Sequence, residues 1–251
     1  MVKFDLAILG GGPGGYVAAI RSAQLGLKTC IIDADKLGGI CLNWGCIPTK
    51  ALLKNAEVYH TIKHAYTYGI KVENVSVDFK KNIQRSRDIS NRLSKGIEFL
   101  MKKNKITHIT GIGKLTSKTS LEVKNKQKTD SIEADKIILA TGARPKSFPR
   151  MEFDGNRVIS FKEAMLLDSP PKKMIIIGSG AIGSEFAYYY NEFGTEVHMI
   201  EMLDRILPIE DADVSKEVEK SFKKSSIKIS TGTKVSKIES LKTKVKVHTE
   251  R

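Results

Sequence analysis

The stretch FDLAILGGGPGGY, residues 4–16, joins a short apolar run to a cluster of glycines. An apolar run of this length, Phe4 to Leu9, is typical of a buried parallel strand. The Ala-rich segment from Tyr16 to Leu25 predicts a packed helix. A second strand follows from Thr29 to Ile32 and is closed by Asp33. The stretch therefore predicts a strand–turn–helix–strand unit of an α/β fold.

The same order of elements recurs downstream. Met174 to Ile177 predicts a strand, the sequence GSGAIG follows at residues 178–183, and Ser184 to Phe193 predicts a helix. The second strand of this copy, Glu196 to Ile200, is closed by Glu201. In both copies the closing acidic residue stands 23 positions after the first glycine of the turn. The repeat predicts an α/β protein with two tandem Rossmann-like dinucleotide-binding βαβ domains.

The other segments are assigned from their hydrophobic pattern. Helices are predicted from Lys50 to about Tyr66 and from about Phe79 to Lys102, the second of which has apolar residues mostly at helical spacing. Short β-type runs alternate with turn residues from Ile106 to Val123, which predicts a small antiparallel meander. A proline-rich connector marks the domain boundary, so we expect domains at residues 1–145 and 146–251, the second incomplete. Further predicted elements are a strand from Lys136 to Ala140, a helix from Asp213 to Lys224, and β-type runs around Ile227, Val235 and Val245.

Each glycine turn has the spacing G-x-G-x-x-G between a strand and a helix. The first glycine permits the tight turn, the second lets a pyrophosphate approach the backbone, and the third lets helix and strand pack closely. The helix N-terminus then offers N–H groups to phosphate. A purely structural turn is the alternative, but two copies with one spacing favour dinucleotide binding. The predicted contacts are Gly10, Gly12, Gly14 and Gly15 in the first turn and Gly178, Gly180, Ile182 and Gly183 in the second.

The acidic residues that close the second strands predict how the ribose is bound. Asp33 and Glu201 stand where such an acid accepts hydrogen bonds from ribose hydroxyls. Because a carboxylate repels a 2′-phosphate, Glu201 favours NAD over NADP in the second site. The alternative is a solvated strand end.

The segment GGICLNWGCIPTK, residues 38–50, holds a close pair of cysteines, Cys41 and Cys46. Five residues of regular helix advance about 7.5 Å, whereas a disulfide needs Cα atoms about 4.4–6.8 Å apart. The pair can therefore bridge only if the backbone leaves the helix between them, which Gly45 and Pro48 permit. The positive end of the following helix would then lower the pKa of a thiol. A metal site is the alternative, but no second Cys/His pair with suitable spacing accompanies this one.

Composition limits the class of protein. Among 251 residues there is a net charge of +14, but the lysines are scattered and no nucleic-acid motif accompanies them, so a lysine-rich surface is favoured over a polyanion site. No apolar run is long enough for a bilayer, and no secretory leader is expected. Three cysteines, of which Cys30 is expected to be a buried, inert thiol, favour a reducing compartment. We expect a cytoplasmic or mitochondrial-matrix protein that binds neither nucleic acid, membrane nor metal; His60 and His64 are read as a solvated helix face.

Residues 38–50 resemble the redox-active disulfide motif of the pyridine-nucleotide–disulfide oxidoreductases. The glycine turn at Gly10–Gly15, the turn Ala140-Thr141-Gly142 and the turn Gly178–Glu185 match the same family in order and spacing. The resemblance implies FAD at the first turn and NAD at the second. It also implies that Cys41 exchanges with a disulfide substrate and that Cys46 lies against the flavin. Further implied contacts are Lys50 near the reactive flavin nitrogen, Glu185 paired with Lys50, backbone contacts to FAD from Gly113, Thr141 and Gly142, and Val235 in the NAD adenine pocket.

The implied reaction is oxidation of protein-bound dihydrolipoamide with NAD as acceptor. The implied partners are lipoyl domains of 2-oxo acid dehydrogenase complexes, and the implied assembly is a homodimer. Members that reduce glutathione or mercuric ion typically use NADPH, from which Glu201 points away. Asp33 stands where glutamate is more usual. Family members continue beyond the point where this chain ends, into a dimerisation domain with a histidine–glutamate pair. We therefore expect the chain alone to be inactive; another NAD(P)H-dependent disulfide reductase or a non-catalytic nucleotide-binding fragment are the alternatives.

Overall fold

A computed structural model describes residues 2–250. Met1 and Arg251 lie outside the described residues, so the expectations about the two chain ends fall outside them as well. The chain forms two compact units. The first comprises the chain up to Pro48 together with Ser86–Arg144, and the second comprises Thr49–Arg85 together with the chain from Pro145 onward. None of the described helices combines the length and apolar character that a membrane crossing needs.

The first unit is built around one mixed sheet. Its strands lie in the order β3-β2-β1-β6-β5-β4. The strands β1, β2, β3 and the later part of β6 are parallel, whereas β4, β5 and the start of β6 pair antiparallel. The strands and short helices of this unit are β1 (Val2–Leu9), α1 (Pro13–Gln24), β2 (Thr29–Asp33), α2 (Gly39–Trp44), β3 (Thr107–Thr110), β4 (Ile112–Leu115), β5 (Ser120–Lys124) and β6 (Thr129–Leu139).

Both faces of the parallel part of this sheet are covered. Ile8 and Ile31 belong to one buried cluster, which includes Ala19 of α1, while Ala7 and Cys30 belong to another. Adjacent residues on a strand point to opposite faces, so the two clusters cover opposite sides of the sheet. Burial on both faces explains why the strand sequences are continuous apolar runs.

Two long helices have residues in both units. They are α3 (Cys46–Lys63), which a 3-10 turn at Ala65–Tyr68 follows, and α4 (Phe79–Lys103). Because Thr49–Arg85 groups with the carboxyl-terminal part of the chain, a single cut at residue 145 does not describe the compact units. The assignment of one nucleotide to residues 1–145 and the other to residues 146–251 stays a prediction.

The second unit holds the repeated motif. Its parallel sheet has the order β7-β8-β9, and β10 and β11 form a separate antiparallel pair. Its core combines Leu52 and Ala56 of α3 with a group of aromatic residues that includes Phe186 and Tyr190. The elements are α5 (Phe161–Ala164), β7 (Lys173–Ile177), α6 (Ala181–Glu192), β8 (Glu196–Ile200), α7 (Ala212–Lys224), β9 (Lys228–Ser230), β10 (Lys234–Ser240) and β11 (Val245–Glu250).

Two sequence-based expectations about elements were wrong. The predicted meander from Ile106 to Val123 does not begin at its first strand, because β3 pairs parallel with β2 at the sheet edge and only β4 onward is antiparallel. The strand pattern alone carries no information about that distant partner. The helix expected from Lys50 begins earlier, at Cys46. Pro48 is tolerated there because its missing N–H falls in the first turn, where it has no intrahelical partner.

Candidate functional site

The first glycine turn leaves no room for side chains at two positions. Gly10 has φ of +112°, and a Cβ added there would lie 2.1 Å from the carbonyl oxygen of Ala140. A Cβ on Gly15 would lie 1.8 Å from the carbonyl oxygen of Gly10, so α1 packs directly on the turn. The N-cap of α1 is Gly12, which provides no side-chain hydrogen bond to the helix. The N–H groups of Gly15 and Tyr16 donate to the carbonyl oxygen of Gly12, and no side chain caps the helix start, so phosphate binding there by the N–H of Gly14 stays a prediction.

The second turn repeats this geometry. Gly178 has φ of +92°, and a Cβ on Gly183 would lie 2.2 Å from the carbonyl oxygen of Gly178. Helix α6 begins at Ala181, and its N-cap Gly180 also lacks a side-chain cap. The repeat seen in the sequence is thus a repeat of structure.

Asp33 and Glu201 brace their turns from within. The backbone N–H of Gly11 donates to Oδ2 of Asp33 at 2.5 Å, and the N–H of Ser179 donates to Oε2 of Glu201 at 2.8 Å. Each glycine turn is therefore tied to the end of its second strand. The sequence predicted the acids as ribose acceptors but missed this role. A carboxylate has about four lone-pair sites, so each acid keeps acceptor capacity for a ligand.

The second oxygen of each acid accepts from the chain that follows the strand. Asp35 donates its N–H to Oδ1 of Asp33 at 2.8 Å, and Leu203 donates its N–H to Oε1 of Glu201 at 3.0 Å. Glu201 is only 8% exposed. Burial raises the pKa of its carboxyl, but hydrogen bonds from Leu203 and Ser179 outweigh burial and hold the pKa below its usual value. Glu201 is therefore a buried anion, which disfavours a 2′-phosphate beside it.

The cysteine segment breaks between its two thiols, as the sequence predicts. Helix α2 ends at Trp44, Gly45 has φ of −146° and ψ of −115°, and α3 begins at Cys46. A Cβ at Gly45 would approach the carbonyl oxygen of Ile40 to 3.0 Å, so a small residue suits the break. Cys41 is half-buried, Cys46 is exposed, and both are thiols in the structure. Their disulfide and their separate roles stay predictions.

The cysteine segment also lies against the first glycine turn. The N–H of Gly38 donates to the carbonyl oxygen of Gly11 at 2.8 Å. A Cβ on Gly39 would lie 2.6 Å from the Cα of Gly12, so only glycine permits this approach. The structure thus brings the cysteine-bearing helix α2 and the predicted pyrophosphate turn together, although nothing in their spacing along the chain requires it.

The other predicted FAD contacts of the first unit lie near the carboxyl ends of β1 and β6. Thr141 and Gly142, with φ of +70° at Gly142, follow the carboxyl end of β6. The N–H of Ala140 donates to the carbonyl oxygen of Leu9 at 2.8 Å, which aligns this turn with the end of β1. Gly113 lies in β4, where a Cβ would lie 2.4 Å from Cδ1 of Leu9. Ligands of α/β sheets bind beyond such carboxyl ends.

The second unit contains the pair formed by Lys50 and Glu185. Nζ of Lys50 lies 2.6 Å from Oε1 of Glu185, and the lysine side chain is 62% exposed. The expected contact is present, while its role in catalysis stays a prediction. Ile182 is exposed in the first turn of α6, and Val235 is buried in β10. Their predicted contacts with NAD are likewise untested.

The other thiol and the histidines are placed as structural residues. Cys30 is fully buried in β2, and burial raises the pKa of its thiol to about 12. The His60 side chain is 50% exposed, as expected of a solvated helix face, and its Nδ1 also lies 3.0 Å from Oε1 of the buried Glu192. His64 stacks on His60. Within residues 2–250 no group of three or more metal-ligating side chains is arranged to hold an ion.

Sequence reasoning missed residues that hold the cysteine segment. Asn43, between the two cysteines, is buried and hydrogen-bonds to Ser94 of α4. Arg87 of the same helix donates to the carbonyl oxygen of Asn43. Small polar residues at 86, 90 and 94 mark one face of α4, but the pattern does not name their partners.

Comparison with known proteins assigns the family. The sequence model described as pyridine nucleotide-disulphide oxidoreductase matches residues 4–251. The chain is 49% identical over 229 residues to a dihydrolipoyl dehydrogenase of Zymomonas mobilis, covering 91% of this chain and 49% of that protein. It is 48% identical to a dihydrolipoyl dehydrogenase of Mycobacterium tuberculosis, covering 95% of this chain and 51% of the relative. The chain thus spans about half the length of the curated relatives it matches.

Solved structures agree with the sequence comparison. LpdA from Mycobacterium tuberculosis superposes with a TM-score of 0.91 at 27% identity, covering 99% of this chain and 55% of that chain. The flavoprotein disulfide reductase RclA from Escherichia coli superposes with a TM-score of 0.85 at 27% identity, covering 100% of this chain and 54% of its own. The two uncapped glycine turns and the cysteine pair beside the first fit this assignment. The chain therefore belongs to the pyridine nucleotide-disulphide oxidoreductase family, whose members use a flavin and a pyridine nucleotide.

Proposed function

We propose that this chain carries the electron-transfer core of a dihydrolipoyl dehydrogenase. In that reaction protein-bound dihydrolipoamide is oxidised to lipoamide, with a Cys41–Cys46 disulfide as the first electron acceptor and NAD as the last. The observation that carries the proposal is the approach of the cysteine segment to the first glycine turn, where a Cβ on Gly39 would lie 2.6 Å from the Cα of Gly12. A dithiol pair and a dinucleotide site so close together suit electron transfer between them.

The first turn is assigned FAD and the second NAD. The FAD site draws on residues 1–145, with phosphate at the start of α1 and the ribose at Asp33; backbone contacts come from Gly113, Thr141 and Gly142. The NAD site draws on residues 146–251. The buried anion Glu201 supports NAD rather than NADP. A 2′-phosphate would place a second negative charge beside this carboxylate, and in a buried site water screens the repulsion between the two charges only weakly.

The cysteine pair performs a dithiol–disulfide exchange. A lipoyl thiolate attacks Sγ of Cys41, the Cys41–Cys46 bond breaks, and Cys46 leaves as a thiolate. The second lipoyl thiolate then attacks the mixed disulfide and releases Cys41, so that lipoamide leaves oxidised and the protein holds two electrons. The two substrate protons pass to bases or solvent. When bound, the flavin and the nicotinamide would supply the onward two-electron chemistry.

Lys50 and Glu185 are proposed to complete the charge arrangement around the flavin. The carboxylate Oε1 lies 2.6 Å from Nζ, so it fixes the position of the ammonium group. Lys50 follows Cys46 by four residues on α3, which places both on one helix face. A cation at that position would stabilise negative charge as electrons arrive.

The partners are proposed from the same reaction. A lipoyl domain of a 2-oxo acid dehydrogenase complex would deliver the dithiol, and the protein would act as a homodimer. The relatives named dihydrolipoyl dehydrogenase support this context. A cysteine pair that cycles between thiol and disulfide suits a reducing compartment, the cytoplasm or the mitochondrial matrix.

Single-cysteine variants test the exchange step. In Cys46→Ser, the thiolate of Cys41 attacks the disulfide of free lipoamide, and alkylation of the released lipoyl thiol traps the mixed disulfide for intact mass spectrometry. We expect this adduct in Cys46→Ser and much less of it in Cys41→Ser, because Cys41 is proposed as the exchanging thiol. Equal adduct formation in both variants would refute the assignment of roles, and no adduct in either would refute the proposed substrate class.

A further inference from the structure

We propose that helix α4 positions the redox segment, chiefly through the hydrogen bond from Ser94 to Asn43, and thereby sets the equilibrium between the Cys41–Cys46 dithiol and its disulfide. The proposal rests on the function proposed above. It assigns a positioning role to residues that lie far from the cysteines in sequence and belong to none of the motifs.

The side chain of Asn43 is the centre of this arrangement. Its Nδ2 donates to the carbonyl oxygen of Leu37 at 3.2 Å and to that of Gly39 at 3.0 Å. Its Oδ1 accepts from Oγ of Ser94 at 2.9 Å. Asn43 is only 7% exposed and Ser94 only 2%. One buried amide therefore links the start of the cysteine helix α2 to helix α4.

Two further residues of α4 hold the backbone on either side of Cys46. Arg87 donates from its guanidinium to the carbonyl oxygen of Asn43 at 2.8 Å, and its Cζ lies 5.1 Å from the ring centroid of Trp44. Ser86 donates its hydroxyl to the carbonyl oxygen of Pro48 at 3.1 Å. The break at Gly45 is thus held from both sides by one rigid helix.

The direction in which the dithiol–disulfide equilibrium shifts follows from how each redox state restrains the segment between the two cysteines. In the disulfide, the covalent bond itself restrains the six residues from Cys41 to Cys46. In the dithiol, that restraint is missing, and the contacts with α4 keep the segment near its bridged geometry. Loss of a contact therefore loosens the dithiol more than the disulfide, so closing the bridge costs more chain entropy. The variant disulfide should be easier to reduce.

Ser90 supplies a matched control on the same helix. It lies one turn from Ser94, it is also 2% exposed, and its Oγ has no hydrogen-bond partner among the described residues. Ser90→Ala thus removes the same atom from the same buried face of α4 without touching Asn43. Ser94→Thr keeps the hydroxyl and serves as the conservative rescue.

The test measures the exchange of the purified chain with dithiothreitol. Dithiol protein and oxidised dithiothreitol give disulfide protein and reduced dithiothreitol, a two-electron exchange, and alkylation with mass spectrometry reads each state. Because a neutral hydrogen bond contributes about 0.5–1.5 kcal/mol, we expect Ser94→Ala to lower the disulfide equilibrium constant by roughly three- to tenfold. Tenfold corresponds to about 30 mV for a two-electron couple. Ser90→Ala and Ser94→Thr should stay within about twofold of the parent chain, because each keeps the hydroxyl that bonds Asn43.

Fluorescence of Trp44, the one tryptophan of the chain, gives a second reading, since it should differ between redox states and follow the same shift. If Ser94→Ala does not fold, Arg87→Lys tests the same idea, because lysine cannot reproduce the planar guanidinium. An equilibrium constant unchanged in Ser94→Ala, or shifted equally in Ser90→Ala, would overturn the positioning role. If Cys41 and Cys46 of the parent chain never form a disulfide, the proposed function itself fails. If they do, and only the effect of Ser94→Ala is missing, the positioning role alone fails.

Discussion

Replacing Glu201 by glutamine should loosen the second glycine turn. The carboxylate accepts three hydrogen bonds, two from the N–H and hydroxyl of Ser179 at 2.8 Å each and one from the N–H of Leu203 at 3.0 Å. The two carboxylate oxygens share these donors. In Glu201→Gln one of the oxygens becomes an NH₂ group, so at least one backbone N–H faces another donor. The turn then loses at least one hydrogen bond, and the remaining hydrogen bonds are no longer made to a charged acceptor.

The loss of stability in Glu201→Gln follows from these hydrogen bonds. Hydrogen bonds to charged groups contribute about 1.5–3 kcal/mol, and a buried donor left unsatisfied costs about 1–3 kcal/mol. Because Glu201 is 8% exposed, water cannot replace the lost acceptor. We therefore expect Glu201→Gln to lower the free energy of opening of this region by about 2–4 kcal/mol.

The same substitution should alter the pH dependence. Hydrogen bonds lower the pKa of Glu201 in the folded chain below the ordinary 4.5, despite the opposing effect of burial. Stability from this group is therefore present above pH 4.5 and is lost as the pH falls through the folded pKa. The difference between the parent chain and Glu201→Gln should shrink over that acidic range.

Hydrogen exchange at the amides of Ser179 and Leu203 measures the effect where it arises. We expect exchange to accelerate at least about tenfold at one of these two amides, whichever faces the new NH₂ group, since 1.4 kcal/mol is a factor of ten. Glu196→Gln is the matched control on β8, because its pair with Lys173 is exposed on both sides and contributes at most about 1 kcal/mol. Unchanged protection at both amides in Glu201→Gln, or equal loss in the control, would show that Glu201 does not brace the turn.

One further substitution and one labelling reaction test the site. Gly15→Ala should destabilise the chain by roughly 3 kcal/mol or more in urea denaturation, because its Cβ would lie 1.8 Å from a carbonyl oxygen. In the control Gly14→Ala the atom nearest to the new Cβ lies 3.9 Å away, so this substitution should be tolerated. Equal losses of stability in the two variants would contradict this packing. Iodoacetamide should label Cys41 and Cys46 in the folded chain at pH 8 and leave Cys30 unmodified until urea unfolds it, because burial raises the pKa of the Cys30 thiol to about 12; early modification of Cys30, located by peptide mass spectrometry, would contradict its placement.

Local patterns in the sequence predicted the βαβ units well. The apolar strands, the glycine spacing and the closing acids each depend on neighbouring residues, so both turns were placed correctly. The break before Cys46 was also predictable, because the geometry of a disulfide excludes a regular helix between Cys41 and Cys46.

Features that depend on distant partners were not predictable. The parallel pairing of β3 with β2 and the bond between Ser94 and Asn43 join segments that lie far apart in sequence. Likewise, residues 49–85 group with the carboxyl-terminal unit, because Leu52 and Ala56 pack in its aromatic core. A buried serine on a helix looks the same in sequence whether its hydroxyl has a hydrogen-bond partner, as in Ser94, or has none within residues 2–250, as in Ser90.

The visible absorption spectrum of the purified chain, incubated with FAD, tests the central claim that the first turn and the cysteine pair form one redox site. We expect a flavin band that survives gel filtration and a new long-wavelength shoulder after anaerobic reduction with a dithiol. The shoulder should be absent in Cys46→Ser, which lacks the thiol proposed to lie against the flavin. A chain that retains no flavin, or a shoulder that persists in Cys46→Ser, would show that the first turn and the cysteine pair do not form one redox site.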